Sequence, residues 1–276
     1  MRSLILLSMA LIANNLMAQN LPKMSPKSTI TQEVGMSEVK IEYSRPSVKD
    51  RVIFGDLVQY GEVWRFGANG ATKIYNSHPV NIDGQKLDTG WHSIFAKPGK
   101  TSWEIIFNKN ADQWGAYDYD EKLNEVVIKR SVKECVHAES FTIEIKEVTT
   151  SEAWIVCRWA TTEIDFPISF DTESYVNAEI SRAINEEEDK AKVYYNAAQY
   201  YFDTNNDKQG EALLSKSLTM KRAYYNVFLL SEITAKSSVE DAKEIANEAI
   251  KLAKKAEKQN WADYIEETMN GWESKE

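Results

Sequence analysis

Residues 72–108, TKIYNSHPVNIDGQKLDTGWHSIFAKPGKTSWEIIFN, decide the fold. Residues 72–77 and 79–82 read as strands. Asp83-Gly84 between them and the next run predicts a hairpin, because a type I′ turn needs positive φ. Lys86 and Leu87 begin the return. Residues 91–96 and 102–108 are two further strands, and the KPGK at 97–100 joins them with turn chemistry. No helical stretch interrupts this meander.

The same pattern extends in both directions. Upstream, Val39, Ile41 and Tyr43 alternate with Lys40, Glu42 and Ser44, the period of two that marks a half-buried strand. Arg45-Pro46 ends it, since proline cannot donate to a ladder. Residues 19–30, with Pro22 and Pro26, read as a polar lead-in. Downstream, residues 124–132, 139–148 and 153–159 complete the set, and 164–170 adds a last short strand. Many short strands with Gly, Pro and Asp turns indicate a β-sandwich or barrel.

Near Asp171 the period changes. Proline vanishes and glycine nearly so. Apolar residues now recur at helical spacing, as in Val176, Ile180, Ala183 and Ile184, or Ala242, Ile245, Ala246, Ala249 and Ile250. About six helices follow, with breaks near residues 204–208 and 237–239. Tyrosine and alanine on one helix, then an alanine-rich second, look like tetratricopeptide repeats, although the repeat's own Gly and Pro positions are missing; a plain helical bundle is the alternative. The predicted class is therefore α+β in two domains: an all-β sandwich over residues 19–170 and an all-α, tetratricopeptide-like domain over 171–276.

The amino terminus, MRSLILLSMALIANNLMAQN, carries Arg2 ahead of an apolar run and small Ala18 ahead of Gln19. This is a signal-peptide pattern over residues 1–18, and it predicts export to the periplasm or cell surface. No later stretch reads as a transmembrane segment. The formal charge is −9 and uneven, net −7 over residues 171–276 and net −2 over 1–170. An acidic carboxyl half argues against nucleic acid as a partner. Export permits a disulfide between the two cysteines, Cys135 and Cys157. However, a hairpin across residues 149–152 sets Cys157 opposite Glu144, and the bland reading is two small buried thiols.

Chemistry gathers in the connection from Tyr43 to Thr72, YSRPSVKDRVIFGDLVQYGEVWRFGANGAT. Long ordered connections in compact domains are usually functional. Arg45, Arg51 and Arg65 lie beside aromatic or proline residues, where a guanidinium can stack or clamp an anion. The competing reading pairs them with Asp50, Asp56 or Glu62, pinning the loop. Trp64, Trp91, Trp103, Trp114 and Tyr117 are candidates for a sugar-binding platform. Trp114 and Tyr117 are the best placed because they sit in a loop rather than on a strand. Asp118, Asp120 and Glu121 lack the glycine and distal glutamate of a calcium loop and read as a turn. His78, His92 and His137 lack metal-ligand spacing. There is no P-loop, dinucleotide fingerprint, nucleophile elbow or zincin helix, and no cofactor is implied.

Three stretches, the one from Tyr43 to Thr72, LDTGWHSIFAKPGK at 87–100 and IIFNKNADQWGAYDYD at 105–120, resemble the secreted bacterial family of domain of unknown function 2911. The resemblance covers about residues 25–170, and such proteins also carry helical extensions. It implies a β-rich, exported domain with no established activity. Phe66 and Gly70 stand where that family tends to have Thr and Glu, so a catalytic role for the glutamate would not transfer. Asp50 and His92 also depart from the pattern. Arg65, Asn69 and Thr72 remain, which favours a polar binding role.

The sequence thus predicts a non-catalytic binding or interaction protein of the cell envelope. A small-molecule or glycan ligand would lie in the β domain near Arg45, Arg51, Arg65, Asn69, Thr72, Trp114 and Tyr117. A protein partner would lie on the helical domain. The alternative is a glycan hydrolase using Glu62 and Asp118, the loop carboxylates that could flank a glycosidic bond.

Overall fold

The computed structural model describes residues 21–272, so the leader reading over residues 1–18 lies outside the described residues. Ten strands precede six helices, and these fall into two units, the first ending at Asp171 and the second beginning at Thr172.

In the first unit, β1 (Lys27–Val34), β2 (Ser37–Ser44), β3 (Thr72–Asn76), β6 (Gly90–Lys97), β7 (Ser102–Asn108) and β8 (Asn124–Ser131) form an antiparallel sheet in the order β1-β2-β3-β6-β7-β8. A second, smaller sheet has the order β5-β4-β10-β9, from β4 (Val80–Ile82), β5 (Gln85–Leu87), β9 (Lys133–Lys146) and β10 (Glu152–Ser169). The alternating residues Val39, Ile41 and Tyr43 of β2 point into one core shared with Ile143, Ile155, Phe166 and Ile168 of the second sheet. The architecture is an open, sandwich-like pair of sheets.

Three details depart from the periodicity reading. β1 occupies part of the polar lead-in and pairs along its whole length with β2, from Lys27↔Ser44 to Val34↔Ser37. As an edge strand it buries only Val34 fully, so its alternation is faint. β10 runs unbroken through both of its predicted pieces, because a bulge at Ala160, with φ of 51°, lets the long strand bend without ending. At the β9–β10 turn, Glu147 also takes a positive φ of 51°, and Cys157 pairs with Ile143 rather than Glu144. Glu134 pairs with Thr162 on the same ladder, so Cys135 lies far along it from Cys157, and both thiols are free. Burial pushes the Cys157 thiol well above its ordinary pKa.

The connection between β2 and β3 closes one end of the sandwich. It sends Val48, Ile53, Val58, Trp64 and Phe66 into the core. Trp64 stacks on Trp159 at 5.7 Å and meets Phe66 and Phe141 edge-on at 5.5 Å each. The same connection adds a short rung to β9: Ser47 bridges Ser140, Val48 N–H donates to Glu139 O at 2.7 Å, and Phe141 N–H donates to Pro46 O at 2.9 Å.

The second unit consists of α1 (Thr172–Glu186), α2 (Lys190–Asp203), α3 (Asp207–Met220), α4 (Tyr224–Ala235), α5 (Val239–Lys255) and α6 (Gln259–Trp272). α2 packs on α3 and α4 on α5 as antiparallel hairpins. The starts of α2, α4 and α6 recur at a pitch of about 34 residues, that of a tetratricopeptide repeat. Gly210 opens the α3 packing face, and a Cβ there would come within 2.8 Å of the Phe202 ring. Ala242 holds a corresponding buried place near the start of α5. Asn226 ties three helices: its amide donates to Ser217 Oγ at 2.9 Å and Lys221 O at 2.7 Å, while Ser217 Oγ–H donates to Ala191 O at 2.6 Å. Among the described residues, no helix is long and apolar enough to cross a membrane.

Candidate functional site

Two loops build the site. The first runs from Arg65 to Thr72 and turns sharply through Phe66 and Asn69, both with positive φ. It closes on itself, with Thr72 N–H donating to Arg65 O at 3.1 Å and the Thr72 hydroxyl donating to Phe66 O. Gly67 is required at the crossing: its φ is 154°, and a Cβ would meet Ser44 O at 3.1 Å.

The second loop, residues 109–123, folds back over the outer face of the six-stranded sheet. It covers Ser93 and Asn108, which carry the polar side of β6 and β7 and are fully buried. Ser93 Oγ–H donates to Asn110 O at 2.7 Å, and the Asn108 amide donates to Asp120 O at 2.9 Å. Asn108 Oδ1 in turn accepts from Gln113 Nε2 at 3.3 Å. Asp120 caps the single 3₁₀ turn at Glu121–Leu123, accepting from Lys122 N–H at 3.0 Å.

The loops join along a short ladder. Gly70 bridges Trp114, Ala71 N–H donates to Gln113 O at 3.0 Å, and Gly115 N–H donates to Asn69 O at 3.2 Å. Beside this seam lies an open groove of about 420 Å³. Asn69, Gly70 and Trp114 form one wall, Lys23 contributes from the chain before β1 and Lys27 from its first residue, and Glu42, Lys73 and Asp112 supply the rest of the charged lining. Trp114 is 62% exposed, with Lys23 Nζ 5.9 Å from its ring centroid. The Asn69 amide is fixed by bonds to Ser25 O at 3.1 Å and Ser44 Oγ at 3.2 Å.

The charges in the groove nearly balance. Lys27 Nζ lies 2.6 Å from Glu42, while Lys73 reaches Glu42 at 3.9 Å and Asp112 at 3.4 Å. The Lys27 contact, aided by Lys40 and Lys73 and opposed by burial, holds the Glu42 carboxyl below its ordinary pKa. Lys73 also sits 4.7 Å from the Trp91 ring.

Of the residues singled out from sequence, Asn69 and Trp114 line this groove. Arg65 and Tyr117 are not among its lining but both flank Gly115, the residue after Trp114, since a Cβ on Gly115 would lie 3.3 Å from Arg65 Nη1 and 2.8 Å from the Tyr117 ring. Arg65 Nε is buried without a hydrogen-bond partner, and Tyr117 is 82% exposed. Thr72 is buried and serves its own turn. Arg45 and Arg51 are not among the groove's lining and donate to main-chain carbonyls and one threonine hydroxyl rather than to Asp50, Asp56 or Glu62. Arg45 donates to Phe141 O at 3.1 Å and Thr142 Oγ1 at 2.8 Å, and Arg51 to Val48 O at 2.9 Å and Ser47 O at 2.6 Å. Trp64 and Trp103 are core residues. Glu62 and Asp118 are not among the groove's lining. Sequence reasoning missed Lys23, Lys27, Glu42, Lys73 and Asp112. For Glu42 and Lys73 the signal was the polar phase of β2 and β3, whose register places them directly opposite each other.

No curated protein matches the chain, and no solved structure does. A family model described as "Protein of unknown function (DUF2911)" matches residues 25–168. That span takes in both sheets and both loops of the groove, and it exceeds half of the sequence, so the chain belongs to the DUF2911 family.

Proposed function

We propose that the β unit is a non-catalytic binding module of an exported envelope protein, and that its groove holds a neutral, polyhydroxylated ligand, a sugar ring, against Trp114. The observation that carries this reading is an exposed tryptophan beside a groove in which lysines are offset by carboxylates. A sugar presents an apolar C–H face to an indole and hydroxyls to paired charged and amide groups. An anionic ligand would find Lys27 and Lys73 already engaged by Glu42 and Asp112. A bound ring would contact Trp114, with Asn69, Glu42 and Lys73 meeting its hydroxyls.

Hydrolysis is the less supported reading. A general acid must hold a proton near the working pH. Glu42, the groove carboxylate beside Lys27, is held ionised instead. Export to the periplasm or cell surface rests on the leader pattern at residues 1–18, and mass spectrometry of secreted protein should find a mature end at Gln19.

The binding test is a glycan-array screen followed by calorimetric titration of the best hit. Trp114→Ala should abolish binding and change the unfolding free energy by no more than a surface substitution does, about 0.5 kcal/mol. Equal affinity in wild type and variant, or no hit among neutral glycans, would reject the sugar reading.

A further inference from the structure

We infer that the outer margin of β1 pairs with the same margin of a second copy of this chain, so that the six-stranded sheet runs on across a two-fold dimer. The inference stands apart from the reading of the groove.

The first observation is a margin left bare. β1 closes one side of the order β1-β2-β3-β6-β7-β8 and runs for eight residues, KSTITQEV, with neither proline nor a register shift. Arg45 N–H donates to Pro26 O at 2.9 Å, which sets the phase of the β1–β2 ladder: Ser28, Ile30, Gln32 and Val34 turn their main-chain groups toward β2. Those of Lys27, Thr29, Thr31 and Glu33 therefore point outward. Among the described residues the partner these groups find is Gln32, whose amide donates to Glu33 O at 3.0 Å. Other margins are handled differently. Residues Pro46 to Val48 cover part of β9, Gln85 Nε2 donates to Val127 O of β8 at 2.8 Å, and β5 has only three residues. Soluble proteins blunt long edges in such ways, because an open one recruits another strand.

The second observation is the register that this phase imposes. The open groups sit at odd-numbered positions, so two copies join antiparallel only by matching odd with odd. Centring the two-fold axis on Ile30 pairs all of them: Lys27 with Glu33 and Thr29 with Thr31, in both directions. Every other allowed register leaves at least one of these residues without a partner. Antiparallel neighbours share their side-chain faces, so the grooves of the two copies open on the same side of the joined sheet.

The third observation is charge. Glu33 stands directly opposite Glu38 of β2, and among the described residues neither forms an ion pair. Like charges so placed destabilise a ladder. The remaining charges of β1 and β2 are already matched: Glu42 lies 2.6 Å from Lys27 and 3.3 Å from Lys40. In the register centred on Ile30, Lys27 of the second copy lies opposite Glu33 and supplies the missing cation. Its ammonium has three donors, enough for Glu42 of its own copy as well. The same register brings Met36, 44% exposed in the β1–β2 turn, toward Met24 of the second copy, 75% exposed ahead of β1. A neutral or acidic strand from another protein would leave Glu33 and Glu38 uncompensated.

The experiment is sedimentation velocity of the full chain across a dilution series. Wild type should pass reversibly between monomer and dimer. Glu33→Lys and Lys27→Glu each set like charges opposite one another at both ends of the pairing, and each should weaken the dimer by about tenfold or more. Mixing the Glu33→Lys chain with the Lys27→Glu chain should restore the dimer, because both pairs between copies then carry opposite charges. Thr31→Pro removes an outward N–H and leaves the β2 ladder intact, and it should weaken the dimer to a similar degree. If Thr31→Pro loses its β-sheet circular dichroism, the charge-swapped chains decide alone. The inference falls if wild type is a monomer at every concentration, if Glu33→Lys and Lys27→Glu dimerise undiminished, or if the mixed chains stay monomeric. It also falls if open-ended oligomers form in place of a dimer, since a two-fold pairing closes on itself.

Discussion

Gly115 sits where the two loops share their chemistry. Its φ is 71°, and a methyl group there would press on the Tyr117 ring and on Arg65 Nη1. Gly115→Ala should therefore cost about 1–2 kcal/mol in thermal melts, from the left-handed backbone and the displaced ring together. It should also weaken any ligand held at Trp114. Glu232 gives a second residue-level outcome, with an unusual sign. Its folded pKa is raised, so the native state holds a proton that the unfolded chain has released. Its contribution to stability is best below its unfolded value of 4.5 and declines as pH rises through the higher folded value. Melts of wild type and Glu232→Gln should accordingly differ little at about pH 4, while the variant should be the more stable at about pH 7. A gap independent of pH would mean that Glu232 is paired. None of this was legible from composition. Asn69, Trp114, Arg65 and Tyr117 stood out as loop residues, whereas Glu42 and Lys73 looked like ordinary solvated positions of strands. Their place in the groove depends on the β2–β3 register and on a loop that crosses the sheet from β7.

Among the elements, period together with turn chemistry identified the strands of the meander and the helices, even where β6, β7 and α4 bury consecutive residues rather than one face. β1 escaped because an edge strand buries little and its alternation is written mostly in polar residues. The β9–β10 register escaped by one residue because Glu147 adopts a left-handed conformation that no glycine announces. The arginines of the central connection were visible, but their partners were not: main-chain carbonyls carry no sequence signature. Arg45 joins the loop to β9 through Phe141 O and Thr142 Oγ1. Arg45→Ala should destabilise the β unit by about 1–3 kcal/mol, because the buried end of that contact loses its charged donor. Denaturant titration checks this, and a change below about 0.5 kcal/mol would place Arg45 among surface residues of no structural weight.

At the scale of the whole molecule, each unit carries its own apolar core, one between the two sheets and others within the helical hairpins. A chain ending at Asp171 and another beginning at Thr172 should each melt cooperatively. Failure of either piece to show a cooperative transition would mean that its core needs the other. The change of period near Asp171 was plain in the sequence because proline and strand alternation stop together there, whereas the hairpin pitch emerged only from the helix starts. The rung that the central connection adds to β9 has a consequence for solubility. A sheet margin with open N–H and C=O groups templates the addition of another chain. Residues Pro46 to Val48 occupy that margin at Glu139 to Phe141, so the connection that shapes the groove also acts as a gatekeeper against strand-by-strand polymerisation. Shortening it would be punished by fibres as well as by loss of binding.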